Sequence, residues 1–257
     1  MNLALHPRAD DFGATPGANE AIIDAIDCGT VCNVGLLAVG KYLDHCLDAL
    51  IERSTSVSLG LHAAIYCEAP ELGFQPMLEA DRIPSLLVDG HRFPRGPQEA
   101  HADPIAEEVL AELSAQLQKL KEKGLRISYL DTHMGFEWLP GVEAGLRAFC
   151  REHSLYCVPS AKHPRVQWPE DFDRPRHSAH RVADAISDQA TGSPKPVWIL
   201  HPAYSDALSK RAYGDQESAR RNSEARLLID PDFSARIEDI GLQFARFPEP
   251  SENSNVS

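Results

Sequence analysis

The sequence predicts an α/β fold, a distorted barrel of about seven parallel strands that alternate with helices. Three observations support this prediction. The chain has 257 residues, of which 43% are hydrophobic, and (βα) barrels of about 250 residues commonly form one domain. Short apolar runs alternate with stretches of helical periodicity along most of the chain. Several of these runs end in acidic residues or histidine, as expected when the carboxyl ends of strands carry a site.

The first part of the chain contains three strand signals and two helix signals. Strands are predicted over 3–9, 31–39 and 56–61, and helices over 15–29 and 42–52. Thr15 and Pro16 are typical of a helix start, and Gly29 is typical of a helix end. Residues 63–103 then interrupt the alternation with several prolines and scattered acids. A long irregular segment in a compact domain is usually a lid or a binding loop.

The alternation resumes at Pro104. Helices are predicted over 104–124, 142–153, 181–190, 217–228 and 233–240, strands over 125–130, 155–158, 196–200 and 242–247, and a loop over 159–175. We therefore expect a single catalytic barrel domain over 1–247, with 63–103 as a lid and substrate-loop insertion. Residues 248–257 are rich in Ser, Glu and Asn and are predicted to be a disordered tail.

Composition excludes several classes of function. The net charge of −13 and the scarcity of clustered Lys and Arg argue against nucleic acid or an acidic membrane as partner, because both bind through basic residues. A small molecule or an oligosaccharide fits better as substrate. No apolar run reaches the length of a membrane span or a signal peptide, so a cytoplasmic location is expected. The six cysteines lack a C-x-x-C pair and are expected to be buried free thiols. The sequence leaves open whether the protein forms a homodimer.

The ends of four predicted strands carry the candidate chemistry. These ends share one rim in a parallel barrel, and they carry Asp10 and Asp11, His62, Asp131 and His133, and His201. Two imidazoles and one carboxylate form a usual first shell for Zn²⁺ or a related divalent metal. A second carboxylate beside the ligand is placed to accept a proton from metal-bound water. The Asp-Asp pair is therefore predicted to supply one ligand and one base.

Each of these residues also has a structural interpretation. Two acids before Gly13 more often form a turn or cap than a metal site when they occur alone. A lone histidine is likewise more often structural. Phe136 and Trp138, which follow His133, can belong to the core or to a surface on which a sugar stacks, and their loop position favours the rim. The joint placement of the acids and histidines is what favours a site.

The same residues occur in blocks that resemble one family, the YdjC-like carbohydrate deacetylases, which include the chitooligosaccharide deacetylases. The resemblance extends over about residues 3 to 210. The blocks are Ala9-Asp10-Asp11-Phe12-Gly13, Leu59-Gly60-Leu61-His62, Pro84-Ser85-Leu86, Tyr129-Leu130-Asp131-Thr132-His133 and His201-Pro202.

The resemblance implies a role for each of these residues. One divalent metal ion, Mg or Zn, would be held by Asp11, His62 and His133. Asp10 would be the catalytic base, and His201 would act as the acid or as a partner of the oxyanion. The implied reaction is hydrolysis of an N-acetyl group from an amino sugar or an N-acetylated oligosaccharide. Asp206 would then orient His201 if its loop folds back.

Two departures from the family pattern lie near the expected substrate. A second histidine after the block that ends at His133 is absent, and Cys157-Val158-Pro159 stands where an Arg-x-Pro element is expected. Arg165 could replace that arginine. Two alternatives therefore remain: a metal hydrolase or isomerase of the same fold that acts on another small carbonyl substrate, and a non-catalytic sugar-binding protein. Asp10 argues against the second, because a binding protein has little use for a spare base.

Overall fold

Strand β1 lies near the middle of a parallel sheet that curves into a half-barrel. The computed structural model describes residues 3–100, 104–161, 163–169, 178–193 and 195–248. The order of strands is β5-β4-β3-β2-β1-β7-β6, and β8 pairs with the beginning of β1. Every one of these pairings is parallel. The strands are β1 (Leu3–Phe12), β2 (Asn33–Leu36), β3 (Ser58–Ala63), β4 (Ile127–Thr132), β5 (Tyr156–Cys157), β6 (Arg165–Val166), β7 (Val197–Leu200) and β8 (Leu242–Phe244).

The helices follow the strands in alternation, which confirms the predicted fold class. Thr15 accepts a hydrogen bond from the Ala18 amide at 3.1 Å and Pro16 opens the first helix, as predicted. Three details differ: the second helix begins only at Leu47, the predicted loop over 159–175 contains a short helix and β6, and α7 is longer, with a kink at Gly214. The helices are α1 (Pro16–Asp27), α2 (Leu47–Glu52), α3 (Ala106–Glu122), α4 (Val142–Glu152), α5 (Val158–Ala161), α6 (Ala179–Ala190), α7 (Ala207–Leu228) and α8 (Pro231–Asp239).

Two glycines make room for the polar residues inside the sheet. A Cβ atom on Gly60 would lie 2.2 Å from the Tyr129 ring, so this ring occupies the space beside the β3 backbone. A Cβ atom on Gly35 would lie 3.1 Å from Oδ1 of Asp10 and 3.2 Å from Cβ of His62. The absence of side chains at these positions therefore allows the polar groups to approach one another.

Aromatic rings fill the barrel below the polar layer. His6 stacks on Phe247 with ring centroids 5.3 Å apart and an interplanar angle of 7°. Tyr129 and Tyr156 contact the same Phe247 ring, with centroids at 4.9 and 5.7 Å. Phe247 follows β8, which ends at Phe244, three residues earlier than the sequence predicts. This packing leaves the carboxyl end of the sheet as the side on which a site can open.

The segment 63–103 is anchored to α3 over part of its length. The carboxylate of Glu112 accepts hydrogen bonds from the amides of Met77 at 2.9 Å and Leu78 at 3.0 Å. Gln116 bonds both backbone groups of Ala64, at 2.7 and 3.2 Å. The lid function of this segment stays a prediction, and residues 101–103 and the predicted tail from 249 onward lie outside the described residues.

Two further expectations concern membranes and thiols. Among the described residues, no helix has both the length and the apolar character that a membrane crossing requires. All six cysteines are free, but only Cys67 and Cys150 are buried, and Cys28 is exposed. The expectation of buried thiols is therefore correct for two of them.

Candidate metal centre and active site

Asp11, His62 and His133 bring three possible ligand atoms to one point. Nε2 of His62 lies 3.2 Å from Nδ1 of His133. Oδ1 of Asp11 lies 3.5 Å from the first nitrogen and 3.3 Å from the second. All three side chains are buried, and Oδ1 of Asp11 has no hydrogen-bond partner among the described residues. One carboxylate oxygen and two imidazole nitrogens that converge in this way fit a divalent metal ion.

A bulge at the end of β1 gives the two neighbouring acids different environments. The pairing of β1 with β2 shifts register between Ala9 and Phe12. Asp11 adopts a φ of 71°, in the left-handed region that non-glycine residues rarely occupy. Bulges redirect side chains, and here the bulge directs Asp11 toward the histidines while Asp10 faces Arg8.

His62 and His133 are each held through the ring nitrogen that faces away from Asp11. Nδ1 of His62 lies 2.7 Å from Oδ2 of Asp131, and Nε2 of His133 lies 2.9 Å from Oε2 of Glu68. Because a carboxylate accepts a proton donor, these contacts place N–H on the outer nitrogens and direct Nε2 of His62 and Nδ1 of His133 at the centre, as the nitrogens that could donate a lone pair to a metal ion. The carboxylates therefore select which nitrogen of each ring could ligate a metal ion.

Arg8 links Asp10, the candidate base, to Asp131, the carboxylate that supports His62. Its Nε and Nη2 donate to the two oxygens of Asp10, both at 2.6 Å, and Nη2 also lies 3.0 Å from Oδ2 of Asp131. Burial alone would raise the pKa of Asp131, but Arg8 and His62 lower it below its usual value. Asp10, His62 and Asp131 form a second group that could hold a cation. Both Asp10 oxygens are engaged by Arg8, however, so the Asp11 group is the better candidate.

Arg221 forms an ion pair with the second carboxylate oxygen of Asp11. Its Nη1 donates to Oδ2 of Asp11 at 2.8 Å, its Nε donates to Glu217 at 3.2 Å, and its guanidinium lies over the Tyr213 ring at 4.0 Å. Burial would raise the pKa of Asp11, but His133, His62 and Arg221 hold it well below its usual range. Asp11 is therefore a carboxylate with one oxygen neutralised and the other directed at the histidines.

His201 follows β7 and faces the same cavity in neutral form. Its backbone amide donates to Oε2 of Glu224 at 2.6 Å, and Glu224 also pairs with Arg220. Burial lowers the pKa of His201 to about 4, so its imidazole is uncharged at neutral pH. Asp206 does not orient His201, because its side chain accepts from the Ser209 amide at 2.7 Å and caps α7. That expectation is corrected.

A cavity of about 410 Å³ opens over these residues. Its lining also includes Glu68, Thr132, Met134, Gly135, Glu137, Val158, Pro159, His163, Arg165, Val197 and Ile199. The cavity is therefore large enough to hold more than one metal ion and one water molecule.

The predicted substrate residues have different locations. Arg165 lines the cavity. Phe136 is fully buried and packs edge-on against Tyr66 at 6.5 Å, which corrects its expected rim position, because hydrophobic packing has drawn it into the core. Trp138 is 61% exposed and donates to the Gly135 carbonyl at 3.1 Å, but it lies outside the cavity lining. Its role in substrate binding stays a prediction.

Sequence reasoning missed three charged residues of the site. Arg8 lies two positions before Asp10, and strand alternation could have placed both on one face. Glu68 lies in the irregular segment after β3, and Arg221 lies on α7, more than two hundred positions from Asp11. No local pattern in the sequence indicates that these two residues approach His133 and Asp11.

Comparison with known proteins identifies a family. The profile of the YdjC-like protein family matches residues 5–239. The chain belongs to this family. Proteins named carbohydrate deacetylase from Brevibacillus brevis and Geobacillus stearothermophilus are 26% and 27% identical, covering 96% and 94% of this YdjC-like chain and 99% and 96% of their own lengths. Carbohydrate deacetylase 1 of Listeria innocua is 31% identical, over 77% of the chain and 81% of its own length.

Solved structures show the same fold. A protein from Enterococcus faecalis, provisionally named for cellobiose-phosphate cleavage, superimposes with a TM-score of 0.80 at 19% identity, covering 96% of this YdjC-like chain and 98% of its own. A CE4 esterase from Streptococcus mutans superimposes with a TM-score of 0.55 at 14% identity, over 95% and 86% of the two chains. At these identities the likeness concerns the fold alone.

Proposed function

We propose that this YdjC-like protein is a metal-dependent hydrolase that removes N-acetyl groups from an amino sugar or an N-acetylated oligosaccharide. The observation that carries the proposal is the convergence of Asp11, His62 and His133 beside a separate carboxylate, Asp10. The relatives that match over nearly their full length are named carbohydrate deacetylases, which supports an acetylated sugar as substrate.

Asp11, His62 and His133 would hold the metal. A donor set of two imidazole nitrogens and one carboxylate oxygen suits Zn²⁺, whereas Mg²⁺ prefers oxygen ligands. When bound, a divalent ion would lower the pKa of a water molecule toward about 7 and polarise the amide carbonyl. Asp131 and Glu68 would keep the two imidazoles in ligating orientation through the hydrogen bonds at 2.7 and 2.9 Å.

Asp10 would accept the proton of the attacking water. Its two oxygens are fixed by Arg8, and a carboxylate oxygen has further lone pairs with which to accept a proton. The orientation of Asp10 therefore does not depend on substrate. The proton would then pass from Asp10 to the departing nitrogen, because amide hydrolysis must deliver one proton to the amine.

His201 would stabilise the oxygen that becomes negative during the attack. Since burial lowers its pKa to about 4, the imidazole enters the reaction neutral, with an N–H available as a hydrogen-bond donor. A preorganised donor of this kind acts without a protonation step. This favours a role for His201 in stabilising the oxyanion over a role as proton donor, for which the imidazole would have to be protonated before the reaction.

Acetate release from a panel of N-acetylated sugars tests the proposal. We expect the purified protein to release acetate from N-acetylglucosamine oligomers, to lose this activity with a chelator and to regain it when Zn²⁺ is added back. A chelator-insensitive release would contradict the metal's role. Turnover of other small carbonyl substrates, without acetate release from any sugar of the panel, would favour a different metal hydrolase or an isomerase.

A further inference from the structure

Four charged residues of α7 lie on one face of the helix, after the kink at Gly214. They are separated by three, four and seven positions, the spacing at which helical side chains are neighbours. The four are Glu217, Arg220, Arg221 and Glu224, and we call them the charged stripe. Arg221 and Glu224 are buried, whereas the side chains of Glu217 and Arg220 are 37% and 28% exposed.

Glu217 joins the two arginines of the stripe. Its carboxylate accepts two hydrogen bonds from Arg220, both at 2.7 Å, and one from Nε of Arg221 at 3.2 Å. Arg221 in turn donates from Nη1 to Oδ2 of Asp11 at 2.8 Å. Glu217 is therefore connected to the candidate metal ligand through a single intervening side chain.

Glu224 holds the opposite side of the site. Its Oε2 accepts a hydrogen bond from the His201 backbone amide at 2.6 Å, and its Oε1 pairs with Arg220. The Ala203 amide donates to the carbonyl oxygen of Arg221 at 3.2 Å, so α7 binds the segment after β7 at two points. The stripe thus contacts the ends of both β1 and β7.

Stability alone does not explain charged residues on this face of α7. Burial of a charge carries a desolvation cost, and replacement of a buried ion pair by well-packed apolar side chains is often neutral or stabilising. Each arginine of the stripe instead lies between two carboxylates, Arg220 between Glu217 and Glu224 and Arg221 between Glu217 and Asp11. Such directed contacts fix the orientation of side chains, which apolar packing does not do as specifically.

We propose, on the basis of the metal-dependent function above, that Glu217 and Glu224 are positioning residues of the active site. Glu217 fixes Arg221, and through it the direction in which Asp11 faces the two histidines. Glu224 fixes the backbone that carries His201. One helix face therefore sets the positions of two groups that come from different strands.

Zinc titration of the metal-free protein tests the role of Glu217. Glu217→Gln keeps the shape of the side chain but removes the charge that balances Arg221, so Arg221 is held less firmly and its charge opposes a cation beside Asp11. We expect the dissociation constant for Zn²⁺ to rise about 10-fold. The matched control is Glu143→Gln, which breaks another Glu–Arg pair with a contact of 2.7 Å, on the exposed surface of α4, and it should leave the constant unchanged.

Two measurements test the role of Glu224 at pH 8, above its pKa, which burial raises to about 7. Glu224→Gln leaves a side chain with one acceptor oxygen and one NH₂ donor, so the contact with either the His201 amide or Arg220 is lost. We expect kcat for acetate release to fall about 10- to 100-fold, because a misplacement of about 1 Å can cost this much, with KM and the Zn²⁺ constant unchanged. The imidazole NMR signal of His201, identified by its loss in His201→Gln, should shift in Glu224→Gln and stay in place in Glu143→Gln.

Either of two results would overturn the proposal. An unchanged Zn²⁺ constant in Glu217→Gln, or an equal rise in Glu143→Gln, would show that Glu217 only stabilises α7. An unchanged kcat or an unmoved His201 signal in Glu224→Gln would show the same for Glu224. Failure of the deacetylase function itself is recognised separately, because the wild type would then release no acetate from any N-acetylated sugar, whereas the zinc titration and the His201 signal do not depend on turnover.

Discussion

Replacement of Arg8 by methionine is expected to lower the free energy of unfolding by about 3–5 kcal/mol. The buried guanidinium makes two contacts of 2.6 Å with Asp10 and one of 3.0 Å with Asp131. Methionine is also unbranched and fills part of the volume, but it leaves two buried carboxylates without their cation. Removal of one partner from a buried ion pair typically costs this amount, which is a large share of the roughly 5–15 kcal/mol that stabilises a domain.

Urea unfolding of the metal-free protein measures this effect. The double variant Arg8→Met/Asp10→Asn removes one of the two unmatched charges, so we expect it to recover about half of the loss. Arg8→Lys keeps a charge but cannot reproduce the paired contacts, and an intermediate loss is expected. A loss below about 1 kcal/mol for Arg8→Met, or a double variant no more stable than the single one, would refute the electrostatic argument.

Three further predictions follow from the same structure. Glu68→Gln should weaken Zn²⁺ binding about 10- to 100-fold in calorimetric titrations, because it removes the charged support of a ligand, whereas Glu137→Gln should leave the affinity unchanged; equal effects would contradict the assigned support. Phe136→Ala should cost about 3–5 kcal/mol in urea unfolding and Trp138→Ala less than about 0.5 kcal/mol, since only the first is buried; similar losses would refute this placement. The folded-state pKa of His201, about 4, lies below that of the unfolded chain, so its contribution to stability is present above about pH 6.5 and is lost as the pH falls toward 4. Between pH 7 and 5 the metal-free wild type should therefore lose about 2 kcal/mol more than His201→Gln, and parallel losses would show that the folded protein does not hold His201 in neutral form.

The sequence predicts those features that depend on local pattern. Alternating apolar runs and helix signals such as Thr15-Pro16 predict the strand and helix order, because they act through nearest neighbours in the chain. The placement of His62 and His133 at strand ends predicts their convergence, because parallel strands share one rim. The structure brings these residues to within 3.2 Å of each other.

The remaining features depend on contacts between distant segments. Arg221 reaches Asp11 from α7, and Glu68 reaches His133 from an irregular segment; neither contact leaves a periodic trace in the sequence. The position of Phe136 is decided by core packing against Tyr66, although Met134 and Trp138, two positions away on either side, are exposed. Strand β6 is only two residues long, which is too short for an alternation to be recognised.

Metal analysis of four purified variants, combined with acetate release, tests the central claim most directly. We predict that Asp11→Ala, His62→Ala and His133→Ala lose the metal and the activity, whereas Asp10→Asn retains about one metal ion per chain and releases no acetate. Full metal occupancy in the two histidine variants would contradict the proposed centre. Loss of metal from Asp10→Asn, with retention in Asp11→Ala, would instead assign the ion to Asp10, His62 and Asp131.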